Sequence, residues 1–302
     1  MQAGLRYFIE VARHGSIRAA SERLNVAASA ISRQIKIFED GFGSPLIQRS
    51  VKGVELTAAG DAFLVYAKAV EAERVRVRQS IDELNGLKRG HVRIACIDGI
   101  VSGPVSNIIC GFRKRYPGIT FDLRTMGTEA IVDQVRNADA DIGIALQPTT
   151  TEGVRVVHRV IDPMCVVFST AHEFASAESV TFAEALRFPM ALPDTSFGIR
   201  RIIDAACRKQ KLKPNMVLET NSIEAMRGFA RSGSGITMMP YFTSRRDVET
   251  GTVRAIPLDD DDLREPTIDI FVHLEREPPV SASKFLSILC DEIGSKSTDG
   301  RH

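Results

Sequence analysis

From Thr57 to about Leu87 the chain carries no proline, and Phe63, Val70, Val77 and Leu84 recur at every seventh position. That spacing keeps one apolar seam on one side of a helix, and Tyr66 and Ile81 widen it. A helix this long with a seven-residue repeat is better explained as a coiled-coil seam between two copies than as a buried core helix. The fold must therefore divide into a part before this helix and a part after it. Thr57 can cap the start, and Gly86 and Gly90 mark a hinge at the end. At 302 residues with 44% apolar content, the chain is long enough for more than one core.

Before the helix, Leu5, Phe8, Ile9 and Ala12 fall at helical spacing and Gly15 supplies a stop. Ser16 can cap a second short helix through Ile17, Ala20 and Leu24, which Asn25 ends in the left-handed conformation. In a third helix Ile31, Ile35 and Phe38 form an apolar stripe, while Ser29, Ser32, Arg33 and Lys36 share the other side. Two short helices, a tight turn and a third helix with a small-polar and basic outer face match what a helix-turn-helix needs to enter the major groove. A solvated face on any small bundle has the same pattern. Asp40-Gly41, Gly43 and Pro45 should break the third helix, and Leu46 to Leu56 is predicted as two strands around Val51-Lys52-Gly53-Val54. This wing carries Arg49 and Lys52.

After Gly90 strand and helix patterns alternate. Strands are predicted at 92–97, 119–125, 141–146, 154–160, 164–169, 189–192, 216–220, 236–239 and 267–273. Helices are predicted at 104–115, 129–138, 198–210, 222–232 and 281–293. Such alternation implies an α/β fold of parallel sheets covered by helices. Proline-marked breaks at Asp162-Pro163 and Glu265-Pro266 suggest two lobes with the chain crossing between them twice. The expected division is a helix-turn-helix part at 1–58, a linker helix at 59–89 and a two-lobed α/β part at 90–302. Within the latter one lobe would hold 90–162 and 267–302, the other 163–266.

Net charge is only +1, yet residues 1–90 hold 14 Lys and Arg against 10 Asp and Glu, while the remainder holds 25 against 28. A DNA-binding surface is thus expected at the N-terminus. No run approaches the ~20 apolar residues of a membrane span, and the start lacks a basic region followed by an apolar one, so the chain reads as cytoplasmic. Cys96, Cys110, Cys165, Cys207 and Cys290 show neither paired spacing nor companion histidines, so reduced thiols are expected and no metal or cofactor. An enzyme has little support without a nucleophile elbow, a phosphate loop or a dinucleotide fingerprint. A periplasmic-type solute-binding protein would explain two lobes but not the winged reader, and an architectural DNA protein would not need the sensor.

The stretch LRYFIEVARHGSIRAASERLNVAASAISRQIKIFEDGFGSPLIQRSVKGVELTAAG at 5–60 resembles the LysR-type regulator family, and ADADIGIAL at 138–146 and GFARSGSGITMMP at 228–240 look like its sensor signatures. The resemblance implies a winged helix-turn-helix, a linker helix and a two-lobed sensor of periplasmic-binding-protein type. It also implies a homodimer-to-homotetramer on an interrupted palindrome of double-stranded DNA, answering to a small-molecule effector. Ala27 stands where the family has a polar cap, a loss of ~1 kcal/mol, and Ala28 where a glutamine often reads a base. Ile47 stands where phenylalanine is common. Base readout then leans on Ser29, Ser32 and Arg33 and on DNA shape, with phosphates held by Lys36, Arg49 and Lys52. Lys36 fits a solvated face equally well.

In the sensor, Asp98, Gly99 and Ser102 follow the first strand, Thr128 opens the helix of the next unit, Thr195, Ser196 and Phe197 do so in the second lobe, and Ser222 opens a further helix. Carboxyl ends of parallel strands are where open α/β sheets place ligands. Each hydroxyl alone also fits an ordinary N-cap; their convergence in one cleft is what the resemblance implies. Asp98 in the cleft would favour an amine or hydroxyl-rich effector, whereas a helix-capping Asp98 would not. Cys207 lies beside Arg208 and Lys209, which can lower a thiol pKa, and peroxide-sensing members use a cysteine pair in this lobe. A thiol-based redox regulator of the same fold is therefore an alternative, although no second cysteine lies close in sequence.

Overall fold

The first turns form where the chain has residues that tolerate left-handed backbone. In the computed structural model, which describes residues 2–50, 53–84 and 89–298, α1 (Gln2–His14) ends at Gly15 with φ +60°. The Ser16 hydroxyl accepts the Ala19 N–H at 3.3 Å to start α2 (Ile17–Leu24), and Asn25 ends it at φ 52°. Next comes α3 (Ala28–Phe42), whose buried Ile31, Ile35 and Phe38 face Leu5, Phe8, Val11 and Ala20. Gly41 does not break this helix. A glycine inside a helix costs only ~1 kcal/mol, so α3 continues until Gly43 turns left-handed at φ 66°.

The wing is the antiparallel pair β1 (Ile47–Ser50) and β2 (Gly53–Leu56), with Ile47 opposite Leu56 and Ser50 opposite Gly53. It is anchored to the helices by the Val54 N–H, which donates to Gly15 O at 2.8 Å, and by Glu39 Oε1, which accepts the Leu46 and Ile47 N–H groups at 2.9 and 3.3 Å. Thr57 Oγ1 accepts the Gly60 N–H at 3.0 Å and caps α4 (Ala58–Leu84). The seam expected along this helix is divided. Phe63 is buried in its own unit, with its ring 4.9 Å from both Phe8 and Phe38, and Val70 packs half-buried on the same core. Tyr66 and Val77 are about half exposed, and the side chains of Ile81 and Leu84 lie outside the described residues. The rings of Phe8 on α1 and of Phe38 and Phe42 on α3 surround Phe63 and draw it into its own unit.

Contacts divide the chain after Ile81. The second unit begins with β3 (Gly90–Cys96), α5 (Ser106–Arg115), β4 (Ile119–Thr125), α6 (Thr128–Arg136), β5 (Ile142–Leu146) and β6 (Val154–Ile161). It continues through β7 (Met164–Ser169), α7 (Phe182–Ala185), β8 (Met190–Pro193), α8 (Gly198–Gln210), β9 (Met216–Thr220) and α9 (Ile223–Arg231). Last come β10 (Ile236–Pro240), α10 (Tyr241–Glu249), β11 (Val253–Pro257), β12 (Thr267–His273) and α11 (Val280–Thr298). Gly90 is a strand residue rather than a hinge, since a Cβ there would lie 2.8 Å from Ile119 Cδ1. Gly86 lies outside the described residues.

The strands form two five-stranded sheets, ordered β4-β3-β5-β12-β6 in the first lobe and β11-β7-β10-β8-β9 in the second. Neither sheet is all parallel. In the first lobe β4, β3, β5 and β6 run one way and β12, between β5 and β6, runs against them; in the second β9, β8, β10 and β11 run one way and β7, between β10 and β11, runs against them. The reason is the double crossing. A strand arriving from the other lobe enters its sheet at the cleft end, where β5 and β10 finish, and so runs against them. The crossings are tied together, for Asp162 N–H donates to Pro266 O at 2.9 Å and Met164 N–H to Leu263 O at 3.0 Å.

Candidate DNA-reading face and inter-lobe site

On α3, Ser29, Arg33 and Lys36 are exposed and Ser32 is half-buried, opposite the buried Ile31, Ile35 and Phe38. Ala27 makes no side-chain cap, so the first turn presents its amides without competition from its own side chain. Lys36 Nζ pairs with Asp40 Oδ1 at 3.0 Å, which raises the ammonium pKa and keeps it charged. Arg33 has no ion-pair partner among the described residues. Arg49 stands opposite Val54 in the wing, and Lys52 lies outside the described residues.

In the second unit the carboxyl ends of the parallel strands meet across the lobes, and some of the expected residues meet there too. A Cβ on Gly127 would lie 2.5 Å from Ser196 O, and one on Gly198 would lie 2.9 Å from Thr128 Oγ1. Only hydrogen at those two positions lets the starts of α6 and α8 approach so closely. Thr128 is fully buried with its hydroxyl donating to Leu146 O at 3.4 Å, so it is already engaged within the protein. Ser196 is exposed, but its hydroxyl and amide both bond Asp194 Oδ1, at 2.6 and 2.8 Å, and hold that carboxyl below its ordinary pKa. Thr195 is exposed; Phe197 is half-buried against the core and opens α8.

The loop after β3 is placed differently from expectation at one residue. Asp98 is half-buried at the start of a single 3-10 turn, but Gly99 is buried, with its Cβ position 2.6 Å from Thr243 Oγ1 of α10. Gly99 therefore packs against the other lobe instead of lining open space. Ser102 follows in a kinked turn, Val101–Val105, and its side chain is outside the described residues. Ser222 caps α9 by accepting the Ala225 N–H at 3.2 Å, the ordinary role of such a hydroxyl.

Two features had no signal in the sequence. Arg201 of α8 reaches across to Glu129 of α6 at 2.7 Å and to Gln147 O, and Glu129 also accepts the Thr149 hydroxyl at 2.8 Å. Residues 72 positions apart share no local pattern. Asp162, marked in the sequence only as a break, is 5% exposed and accepts the Phe242 N–H at 3.1 Å; burial pushes its carboxyl up to about 7.

The sensor signatures prove to be structural pins. Asp141 accepts the Arg93 N–H at 2.8 Å and Arg93 Nη2 at 2.6 Å, locking β5 to β3, and Arg231 ties α9 to Asp247 of α10 at 2.8 Å. Burial and Asp204 raise the Cys207 thiol pKa despite Arg200 and Arg208, and burial pushes Cys96 and Cys165 up to about 12. These thiols are held away from the reactive thiolate form.

The family model for the LysR substrate binding domain matches residues 85–293, and that for the bacterial regulatory helix-turn-helix protein, lysR family, matches 3–61. The chain is similar to the transcriptional dual regulator GltC of Bacillus subtilis, 27% identical over 283 residues and 93% of each chain. Likewise it is similar to the HTH-type transcriptional activator CmpR of Synechocystis, 26% identical over 78% of this chain and 77% of that one. A full-length OxyR variant from Pseudomonas aeruginosa shares the fold at TM-score 0.73 and 19% identity, covering 97% of this chain and 94% of that one. CbnR, a LysR family transcriptional regulator solved also with its target DNA, does so at TM-score 0.62 and 18% identity, covering 97% and 99%. A DNA-binding helix-turn-helix and a substrate-binding domain thus account for most of the chain, which belongs to the LysR family of transcriptional regulators.

Proposed function

We propose that α3 enters the major groove with Ser29, Ser32 and Arg33 toward base edges, while Lys36, Arg49 and Lys52 hold phosphates. The observation that carries this is the exposed Ser29, Arg33 and Lys36 on the face opposite buried Ile31, Ile35 and Phe38. Arg33→Ala should cost about 1–3 kcal/mol of specific binding in a gel shift at fixed salt. Unchanged affinity would remove Arg33 from the base-reading set. Lys52→Ala should weaken all DNA equally and flatten the salt dependence.

The working unit in this proposal is a cytoplasmic homodimer that pairs into a tetramer on an interrupted palindrome, with no enzymatic activity of its own. The division into 1–58, 59–89 and 90–302 serves that assembly. Since Phe63 fills its own unit, the seam rests on the exposed Tyr66 and Val77. Val77→Glu should lower the mass seen in analytical ultracentrifugation, because a seam charge would be buried without a partner.

The effector is proposed to sit at the carboxyl ends of β3, β4, β8 and β9, near Asp98, Ser102, Thr128, Thr195, Ser196, Phe197 and Ser222. It regulates by binding one arrangement of the lobes more tightly than another. Titration calorimetry of the full chain with amino acids, amines and small carboxylates tests the site. If Asp98 recognises an amine, Asp98→Asn weakens it and leaves DNA affinity without ligand unchanged. The raised Cys207 pKa weighs against that thiol as the reactive group of a redox regulator.

A further inference from the structure

Across the outer face of α3 the side chains differ in kind from one end to the other. Arg33 and Lys36 supply charge in the middle, and Ser29 and Ser32 supply hydroxyls, but the exposed positions that begin the helix, Ala27 and Ala28, carry only methyl groups. Ala28 and Ser32 lie four residues apart and so share one stripe, as Ser29 and Arg33 share the next. In a helix-turn-helix the N-terminal residues of the reading helix lie nearest the base edges. A methyl group there has no hydrogen bond to offer. Of the features a base pair presents in the major groove, the one an alanine complements is the thymine C5 methyl.

We propose that Ala28, flanked by Ala27, is a specificity-determining residue that recognises a thymine methyl in each half-site. Two observations support it together: both alanines are exposed, and neither packs in the core of the unit. Packing one methyl against another removes about one methyl's worth of apolar surface from water. At ~0.8 kcal/mol per group and tenfold per 1.4 kcal/mol, this corresponds to about four-fold in affinity. The inference rests on α3 being the helix that reads DNA.

The test uses the full chain and a duplex selected by it from a random pool, in which each thymine is replaced singly by deoxyuridine, a change that deletes only the methyl group. The expected result is an affinity loss of about four-fold at one or two positions per half-site. That loss should vanish in Ala28→Gly and in Ala28→Ser, while both variants keep the native affinity for the deoxyuridine duplex, which also shows that they fold. No sensitive position, or a sensitivity that survives both substitutions, would overturn the assignment of Ala28 while leaving the DNA-reading helix in place. Failure to enrich any duplex would overturn both.

Discussion

In the first lobe β4-β3-β5-β12-β6 sets one reversed strand, β12, among four that run the same way, and in the second β9-β8-β10-β7-β11 repeats that order with β7 reversed. In each lobe the fourth strand is the one that arrives by crossing from the other, β12 in one case and β7 in the other. The two crossings handle a buried carboxylate in opposite ways. On β12, Asp269 is 1% exposed and is clamped by Arg159 through bonds of 2.7 and 2.6 Å. Just before β7, Asp162 is nearly as buried but has no cation among the described residues, only the Phe242 N–H. A carboxylate can enter a protein interior with a cation or with a proton, and this molecule uses one solution at each crossing.

The largest expected effect is on Asp162, because it is spread over a wide pH range. Its native pKa of about 7 lies above the ordinary 3.8, so the folded state favours the protonated form. That contribution is fully present below about pH 4 and is lost as pH rises through 7, at roughly 1.4 kcal/mol per pH unit. Asp162→Asn keeps an acceptor for Phe242 and removes the slope. Urea denaturation of both proteins across this range should therefore give stabilities that diverge as pH rises, with the variant the more stable; parallel curves would break the comparison.

Next in size is Arg159→Ala, which leaves Asp269 buried without its partner and should cost about 3 kcal/mol. Faster hydrogen exchange of the β6 and β12 amides would localise the loss.

The helices that follow the second parallel strand of each lobe provide a smaller contrast. Ser222 caps α9, whereas α6 begins at Gly127 without a side-chain cap, and there a Cβ would strike Ser196 of the other lobe. Ser222→Ala should cost ~1 kcal/mol in thermal unfolding through loss of the cap. A loss of effector binding with stability unchanged would instead make Ser222 a ligand contact.

The smallest effect concerns Glu129→Gln. The Glu129–Arg201 pair between the lobes is partly exposed, with side chains 45% and 33% accessible, so its removal should change stability by less than about 1 kcal/mol. A shift of several kcal/mol would mean that lobe contact, and not the two cores, carries the stability of the sensor.

Local pattern was sufficient for much of the fold. The strands at 119–125, 164–169, 216–220 and 267–273 and the helix at 198–210 coincide with the periodicities in the sequence, because a repeat of two or 3.6 residues is written into neighbouring side chains. Where polar groups are buried that signal fails: α10 hides Thr243, Ser244 and Asp247 along with Phe242, shows no apolar stripe and was not anticipated, nor was β11 after it. The exposed face of α3 was legible for the same local reason. What tertiary structure alone decided are the relations between separate elements: Phe63 turned into its own unit, the antiparallel entry of β12 and β7, Gly99 against Thr243, Thr128 sealed onto Leu146, and Asp162 buried under the Phe242 amide. Each depends on which surfaces tertiary packing brings together, and the periodicity of a short segment does not encode its partner in another element.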